Sequence, residues 1–258
     1  MKKNRLTSLI VLLVAVFTFS SCLDSDSESS WDYANYMTVV DYDYMGTPSE
    51  LRPDFFPYIF TPINPEVLKL YNKEEESKGY LKRGFIVVKL VEGEDFSQKD
   101  KTRYDVKIVG IENVLNVKNM QKPELVEGSN ALYQFGPKEQ FWGDNGYINV
   151  AFYPTYERGK GEELDIDDFD LFLDKVSDDN KTLLLRFNHS IPQVKEPINY
   201  ERLVLTSFTL PSRGQIQSEF PNLEFFGSTN DSIRVKVTAL GPNERELESS
   251  EFNIKLTY

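Results

Sequence analysis

Apolar and polar residues alternate with period two along most of this chain, and that pattern predicts strands. In Tyr36–Tyr44, Val40, Tyr42 and Tyr44 alternate with Asp41 and Asp43, as in a half-exposed strand. Phe85, Ile86, Val87, Val88, Leu90 and Val91 place a strand within Lys82–Glu92. Tyr104, Val106 and Ile108 share one face of a strand region running to Val117, with Gly110 as a bend or bulge. Tyr147–Tyr153 is another strand, closed by Pro154. Between the first two lies a segment from Arg52 to Pro65 with Pro53, Pro57, Pro62 and Pro65 among Phe55, Phe56, Tyr58 and Phe60. Prolines this dense argue against a central strand or a helix, so a packed loop is expected. Glu66–Tyr80 is the one place where a short helix is expected, ended by Gly79.

The second half is more regular. Strands are expected at Asp168–Val176, Thr182–Phe187, Tyr200–Leu210, Ser232–Leu240 and Glu251–Thr257, with turn residues such as Gly241, Pro242 and Asn243 between them. Ile233, Val235 and Val237 against Arg234, Lys236 and Thr238 give one apolar and one polar face. Short strands so spaced read as an antiparallel β-sandwich. The irregular first half suits a small barrel with long loops. The charged, glycine-bearing stretch Tyr156–Glu163 is the expected boundary, giving a barrel domain at 31–155 and a sandwich at 163–258. The fold class is therefore all-β.

The N-terminus has a different pattern. Lys2, Lys3 and Arg5 precede an uncharged apolar run, Leu6–Phe19, followed by Ser20, Ser21 and Cys22. That is the layout of a secretory leader, residues 1–21, and the run falls short of the ~20 residues a spanning helix needs. Phe19-Ser20-Ser21-Cys22 resembles a bacterial lipoprotein signal, which implies acylation of the Cys22 thiol and cleavage before it. Residues 22–30, rich in Asp, Glu and Ser, read as a flexible tether. Their short acidic run also resembles the surface-export signal of Bacteroides-type lipoproteins. The expected location is the outer membrane, lipid-anchored and surface-exposed rather than facing the periplasm.

Composition narrows the chemistry. The chain carries -12 formally, and a departing leader removes three further positive charges. That argues against nucleic acid as a partner and against adsorption to anionic lipid. Cys22 is the only cysteine and His189 the only histidine. A disulfide within the chain, a cysteine nucleophile or an imidazole-rich metal site therefore does not arise. His189 follows Phe187-Asn188 at a strand end, and no Gly-x-Ser-x-Gly elbow accompanies it. Asp168 and Asp170 would share a strand face and could converge on calcium, but no EF-hand glycine is present and an acidic sheet edge explains them equally. No cofactor motif occurs, so neither cofactor nor metal is expected. Phe141, Trp142 and Tyr147, set among Gln140, Asp144 and Asn145, are the candidate ligand residues, an aromatic platform of the kind that stacks on sugars.

The lipobox, the acidic linker, the tyrosine-rich Tyr36–Tyr44 strand and the strands Tyr200–Leu210 and Ser232–Leu240 together resemble the NigD-like family of envelope lipoproteins. The resemblance implies an N-terminal OB-type barrel followed by a C-terminal β-sandwich, and an association with bacteriocin loci. It supplies no catalytic residues. A non-catalytic binding module is expected, with a glycan, a peptide or another envelope protein as ligand. A bacteriocin immunity or secretion accessory, and a carboxylate-based envelope hydrolase, stand as alternatives.

Overall fold

The structure is a computed structural model. It describes residues 32–71, 77–98, 100–115, 117–120, 129–157, 169–192, 197–199, 203–229 and 231–256. The leader, Cys22, the tether and Asp168 lie outside the described residues.

The first strands are β1 (Asp32–Tyr42), β2 (Pro48–Pro53), β3 (Ile59–Pro62), β4 (Lys69–Tyr71), β5 (Ser77–Tyr80), β6 (Arg83–Leu90) and β7 (Arg103–Val114). Five of them close into a barrel in the order β1-β2-β3-β7-β6. Antiparallel pairs alternate around it except where β3 runs parallel to β7, pairing Phe60 with Tyr104. This is the OB-type strand order. Alternation drives the closure: Tyr104, Val106 and Ile108 point inward from β7, and Met37 and Val39 from β1. The register slips by one residue where Val87 and Val88 of β6 face Gly110 and Ile108, a bulge beside the glycine that marked it.

Two expectations fail here. The proline-rich segment contributes β3, a true barrel strand. It is only four residues long and pairs with β2 at a single position, Leu51 with Phe60, so Pro62 sits at its end, where the missing N–H is tolerated. The expected helix at Glu66–Tyr80 is instead a 3-10 turn, Pro65–Leu68, followed by the β4–β5 hairpin. Leu68 and Leu81 are fully buried in the barrel core, and the Leu81 amide donates to the Leu68 carbonyl at 2.8 Å. The turn and the end of the hairpin bring those two leucines together in the barrel core; residues 72–76 of the expected helix lie outside the described residues.

The remaining elements are β8 (Val117–Asn119), β9 (Ser129–Asn130), β10 (Gln134–Phe135), β11 (Trp142–Asp144), β12 (Tyr147–Tyr153), β13 (Thr155–Glu157), β14 (Phe169–Val176), β15 (Thr182–Pro192), β16 (Pro197–Asn199), β17 (Val204–Thr209), α1 (Arg213–Glu219), β18 (Ser232–Leu240), β19 (Glu246–Glu248) and β20 (Phe252–Lys255). Most join one large sheet, ordered β14-β15-β18-β20-β11-β12-β17-β8. It folds over on itself: Phe187 of β15 lies 4.6 Å from Phe152 of β12 and 6.0 Å from Phe208 of β17. The joint is thin. β20 and β11 meet through one pair, Ile254 and Gly143, and a Cβ on Gly143 would come within 2.6 Å of the Ile254 side chain. Ile148, Val150, Leu171, Leu185, Ile233 and Val235 fill the space between the two leaves. The sandwich is mixed, with β15 parallel to β18 and β17 parallel to β8. The helix α1 has no counterpart in the sequence reading. Ser212 and Gln215 cap it reciprocally, and it buries only Ile216, too little periodicity to read.

The sheets do not divide at Tyr156–Glu163. Barrel pairing ends at Val114, and β8 to β12 belong to the sandwich, so the barrel is shorter than 31–155 and the sandwich begins well before 163. Alternation in Tyr147–Tyr153 fits either sheet equally. What places it is burial on both sides: Ile148 and Val150 face the sandwich core, while Asn149 is covered from behind.

Candidate functional site

The outer face of β12 and β17 is covered by the barrel, and a charge is buried there. Arg83 begins β6, and its register opposite Thr38 of β1 points its side chain out of the barrel. Both Arg83 and Asp54 have no exposed surface. The guanidinium holds the carboxylate with both terminal nitrogens, Nη1 to Oδ1 at 3.0 Å and Nη2 to Oδ2. Nη1 also donates to Thr38 Oγ1, and Nε to Asn149 Oδ1 at 3.3 Å and Ser207 Oγ at 3.2 Å. From the sandwich, Trp142 Nε1 donates to Asp54 Oδ2 at 2.7 Å and Asn145 Nδ2 to Oδ1 at 3.0 Å. The Arg83 guanidinium lies over the Tyr147 ring at 5.2 Å, and Trp142 packs on Tyr36 at 5.0 Å. Burial raises the phenol pKa of Tyr147, an effect Arg83 opposes. Buried charges need pairing and complete hydrogen bonding, and this cluster supplies both. Its chemistry is that of a latch: the carboxylate has no free oxygen with which to act on a substrate.

The candidate aromatic residues sit in this frame. Phe141 is in the sandwich core against Phe135 and Phe252, so it is no part of a platform. Trp142 and Tyr147 are half-buried in the seam, spent on Asp54 and Arg83. Their position is set by an Asn145-Gly146 turn, both residues at positive φ, which ties β11 to β12 as a tight hairpin. Asp170 is held by Lys118 at 2.7 Å and by the Ser190 hydroxyl, so it is not presented to a cation. Among the described residues no group of three or more His, Cys, Asp or Glu side chains is gathered for a metal.

His189 is buried, stacked on Phe169 at 4.6 Å, with Nδ1 3.3 Å from Asn130 Nδ2. Burial alone lowers its pKa to about 4. The unfolded chain then binds a proton below about pH 6.5 that the folded chain refuses. Stability from this residue is complete above that pH and is lost as pH falls toward 4, by at most ~1.4 kcal/mol per pH unit. Denaturation from pH 7.5 to 4.5 should show a fall in stability that a His189→Gln variant lacks; parallel curves would contradict it.

Two exposed apolar features lie at opposite ends of β1. At its far end, Tyr44 is 95% and Met45 70% exposed, on a loop fixed by Asp43, whose Oδ1 accepts from the amides of Met45 and Thr47, both at 2.8 Å. At its start, Tyr33, Tyr58 and Phe96 close the lower mouth of the barrel over Phe60 and Tyr104. Phe55 and Phe56 stand outside this plug, 66% and 46% exposed. Phe55 has φ +65°, and its amide donates to Asp144 Oδ2 of the sandwich. The sequence reading missed both features. A tyrosine and a methionine beside Asp43 and Gly46 were a signal for the first; Phe55, Phe56 and Tyr58 among the prolines were a signal for the second.

A five-stranded OB-type barrel latched to a mixed β-sandwich defines the class of this chain. No protein-family model matches it, and no curated protein matches it. Solved structures that it resembles include some from Bacteroides and Parabacteroides. One is described as a toxin-related protein of Parabacteroides distasonis, 16% identical over 86% of this chain and 92% of that one, TM-score 0.47. Another, from Bacteroides fragilis, is designated a lipoprotein, 12% identical over 88% and 99%, TM-score 0.47. A third is called a NigD-like immunity protein of Bacteroides caccae, 13% identical over 88% and 99%, TM-score 0.44.

Proposed function

We propose that this chain is a lipid-anchored, non-catalytic interaction module of the cell envelope, of the NigD-like kind, displayed on the outer membrane through Cys22. The observation that carries it is the β1–β2 tip. Tyr44 and Met45 are held outward on an ordered turn with almost no protein around them. Tyrosine and methionine are enriched where proteins meet, and a rigidly presented pair loses little entropy on docking. Two side chains standing out in solvent suit a pocket on another envelope protein better than they suit a glycan. A non-catalytic role is supported by the engagement of the reactive-looking groups: Asp54 is locked to Arg83, and His189 is buried in the sandwich. The 41 acidic against 29 basic residues favour one further reading, capture of a cationic peptide, as an immunity or secretion accessory would require.

The test is a photo-crosslinking residue at position 44 in intact cells, with a glycan array run on the purified protein. A discrete crosslinked protein is expected, and Tyr44→Ala with Met45→Ser should weaken its binding about tenfold or more, as for an interface anchor. Glycan binding unaffected by the tip substitutions, with no crosslinked protein, would overturn the reading.

A further inference from the structure

Asn145 is the only asparagine of the chain followed by glycine, and it sits on the seam that the latch holds shut. Asn145 and Gly146 form the tight loop between β11 and β12, at φ +51° and +79°, with Asp144 opposite Tyr147. The Asn145 side chain crosses to the barrel. Its Nδ2 donates to Asp54 Oδ1 at 3.0 Å and to the Pro53 carbonyl at 3.3 Å, and lies 3.5 Å from the Arg52 carbonyl. These neighbours are all acceptors, and one of them is the buried carboxylate that Arg83 grips. The position therefore requires a donor, and an asparagine amide supplies it. The same amide is the group most easily lost when a glycine nitrogen follows it.

We propose that Asn145 is a deamidation site which the latch protects, and that its conversion keeps the seam between barrel and sandwich from closing again. In the reaction the Gly146 backbone nitrogen bonds to Asn145 Cγ and the Cγ–Nδ2 bond breaks. Nδ2 leaves as ammonia, carrying the Gly146 amide proton relayed by water. The cyclic imide then takes up one water, giving aspartate or isoaspartate, and the acid proton passes to solvent. Glycine has no side chain to screen its nitrogen. What the folded chain withholds is approach, since ring closure needs the reacting atoms in contact. A side chain tied at Nδ2 to oxygens across the seam cannot swing back over its own peptide. The rate then follows the fraction of chains whose seam is open. Either product opposes reclosure. Aspartate puts a charged oxygen where Nδ2 stood, facing Asp54 Oδ1 and the Pro53 carbonyl with no proton to offer. Isoaspartate also lengthens the loop backbone and shifts Asp144 from its place opposite Tyr147. A transient opening is thereby made permanent.

Ageing of the full chain tests it. The purified protein is held at mildly alkaline pH in native buffer and, in parallel, in denaturing guanidinium, then digested. Deamidation at Asn145 is read by mass spectrometry, and isoaspartate by enzymatic methylation. Conversion should be at least about tenfold slower in the native chain than in the denatured one. Arg83→Met should recover much of that factor in native buffer. Trp142→Phe removes only the indole donor to Asp54, and should recover part of it if the first variant does not fold. Asn145→Asp, made directly, should lower the urea midpoint and split the transition in two. Equal conversion in native and denatured chains, zero included, overturns the proposal, as does conversion in both latch variants no faster than in the unsubstituted chain. An unchanged urea midpoint for Asn145→Asp also overturns it; that would follow if the Arg52 guanidinium, on the strand beside Thr38, turned to the new carboxylate.

Discussion

Arg83→Met should lower stability by about 3–5 kcal/mol, the cost of leaving one partner of a buried pair unmatched. The methionine fills similar space but gives up every hydrogen bond the guanidinium makes. Asp54 would keep only Trp142 Nε1 and Asn145 Nδ2, too little to hold a carboxylate with no exposed surface. Asn149 Oδ1 would keep the Ser207 hydroxyl as donor. Because these groups come from both sheets, the loss should also uncouple them. The unsubstituted chain is expected to unfold in one step in urea; the variant should show a lower midpoint and two separable transitions. Arg83→Met with Asp54→Leu removes the stranded charge and should be more stable than Arg83→Met alone. A loss under about 1 kcal/mol would mean the latch carries little. Arg83→Lys is not expected to rescue, since an ammonium cannot grip a carboxylate in a fork while also donating to Thr38, Asn149 and Ser207.

Cys22→Ala should abolish acyl labelling and move the protein from the membrane to the soluble envelope fraction. Each buried methylene contributes about 0.8 kcal/mol, and a single chain holds only marginally, so the two or three chains of a lipoprotein decide retention. The aromatic end of the barrel cannot compensate, since Phe55 and Phe56 offer two partly exposed rings in place of whole acyl chains. Metabolic labelling with an alkyne fatty acid and fractionation of the same cells report the two effects separately. Membrane retention unchanged by the substitution would rule out the anchor. Label persisting on Cys22→Ala would place the acyl group elsewhere.

The strands that the sequence made legible are those with one apolar face and a full period-two run. Ile233, Val235 and Val237 are buried as their alternation requires, and so are Tyr104, Val106 and Ile108. β3 was obscured by its flanking prolines. The β4–β5 hairpin was obscured by polar residues that resemble an exposed helix face, and α1 by burying one residue. The candidate platform failed for a related reason. Aromatics beside Asn, Asp and Gly look exposed when the segment is read alone, but here Phe141 packs into the sandwich core, and Trp142 and Tyr147, on a tight hairpin, are half-buried against the barrel.

By itself the sequence determined the all-β class and the order of an irregular barrel-like half before a regular sandwich half. These depend on local period, composition and residue type, which a chain states directly. Only the tertiary structure decided where the two sheets part, that Asp54 and Arg83 form the latch, and which aromatics remain in solvent. Periodicity tells which face of a strand is buried but not what buries it. Arg83 and Ser207 are 124 residues apart, and nothing near either one names the other. The resemblance of Phe19-Ser20-Ser21-Cys22 to a lipoprotein signal is the opposite case, since it depends on four adjacent residues and on no distant partner.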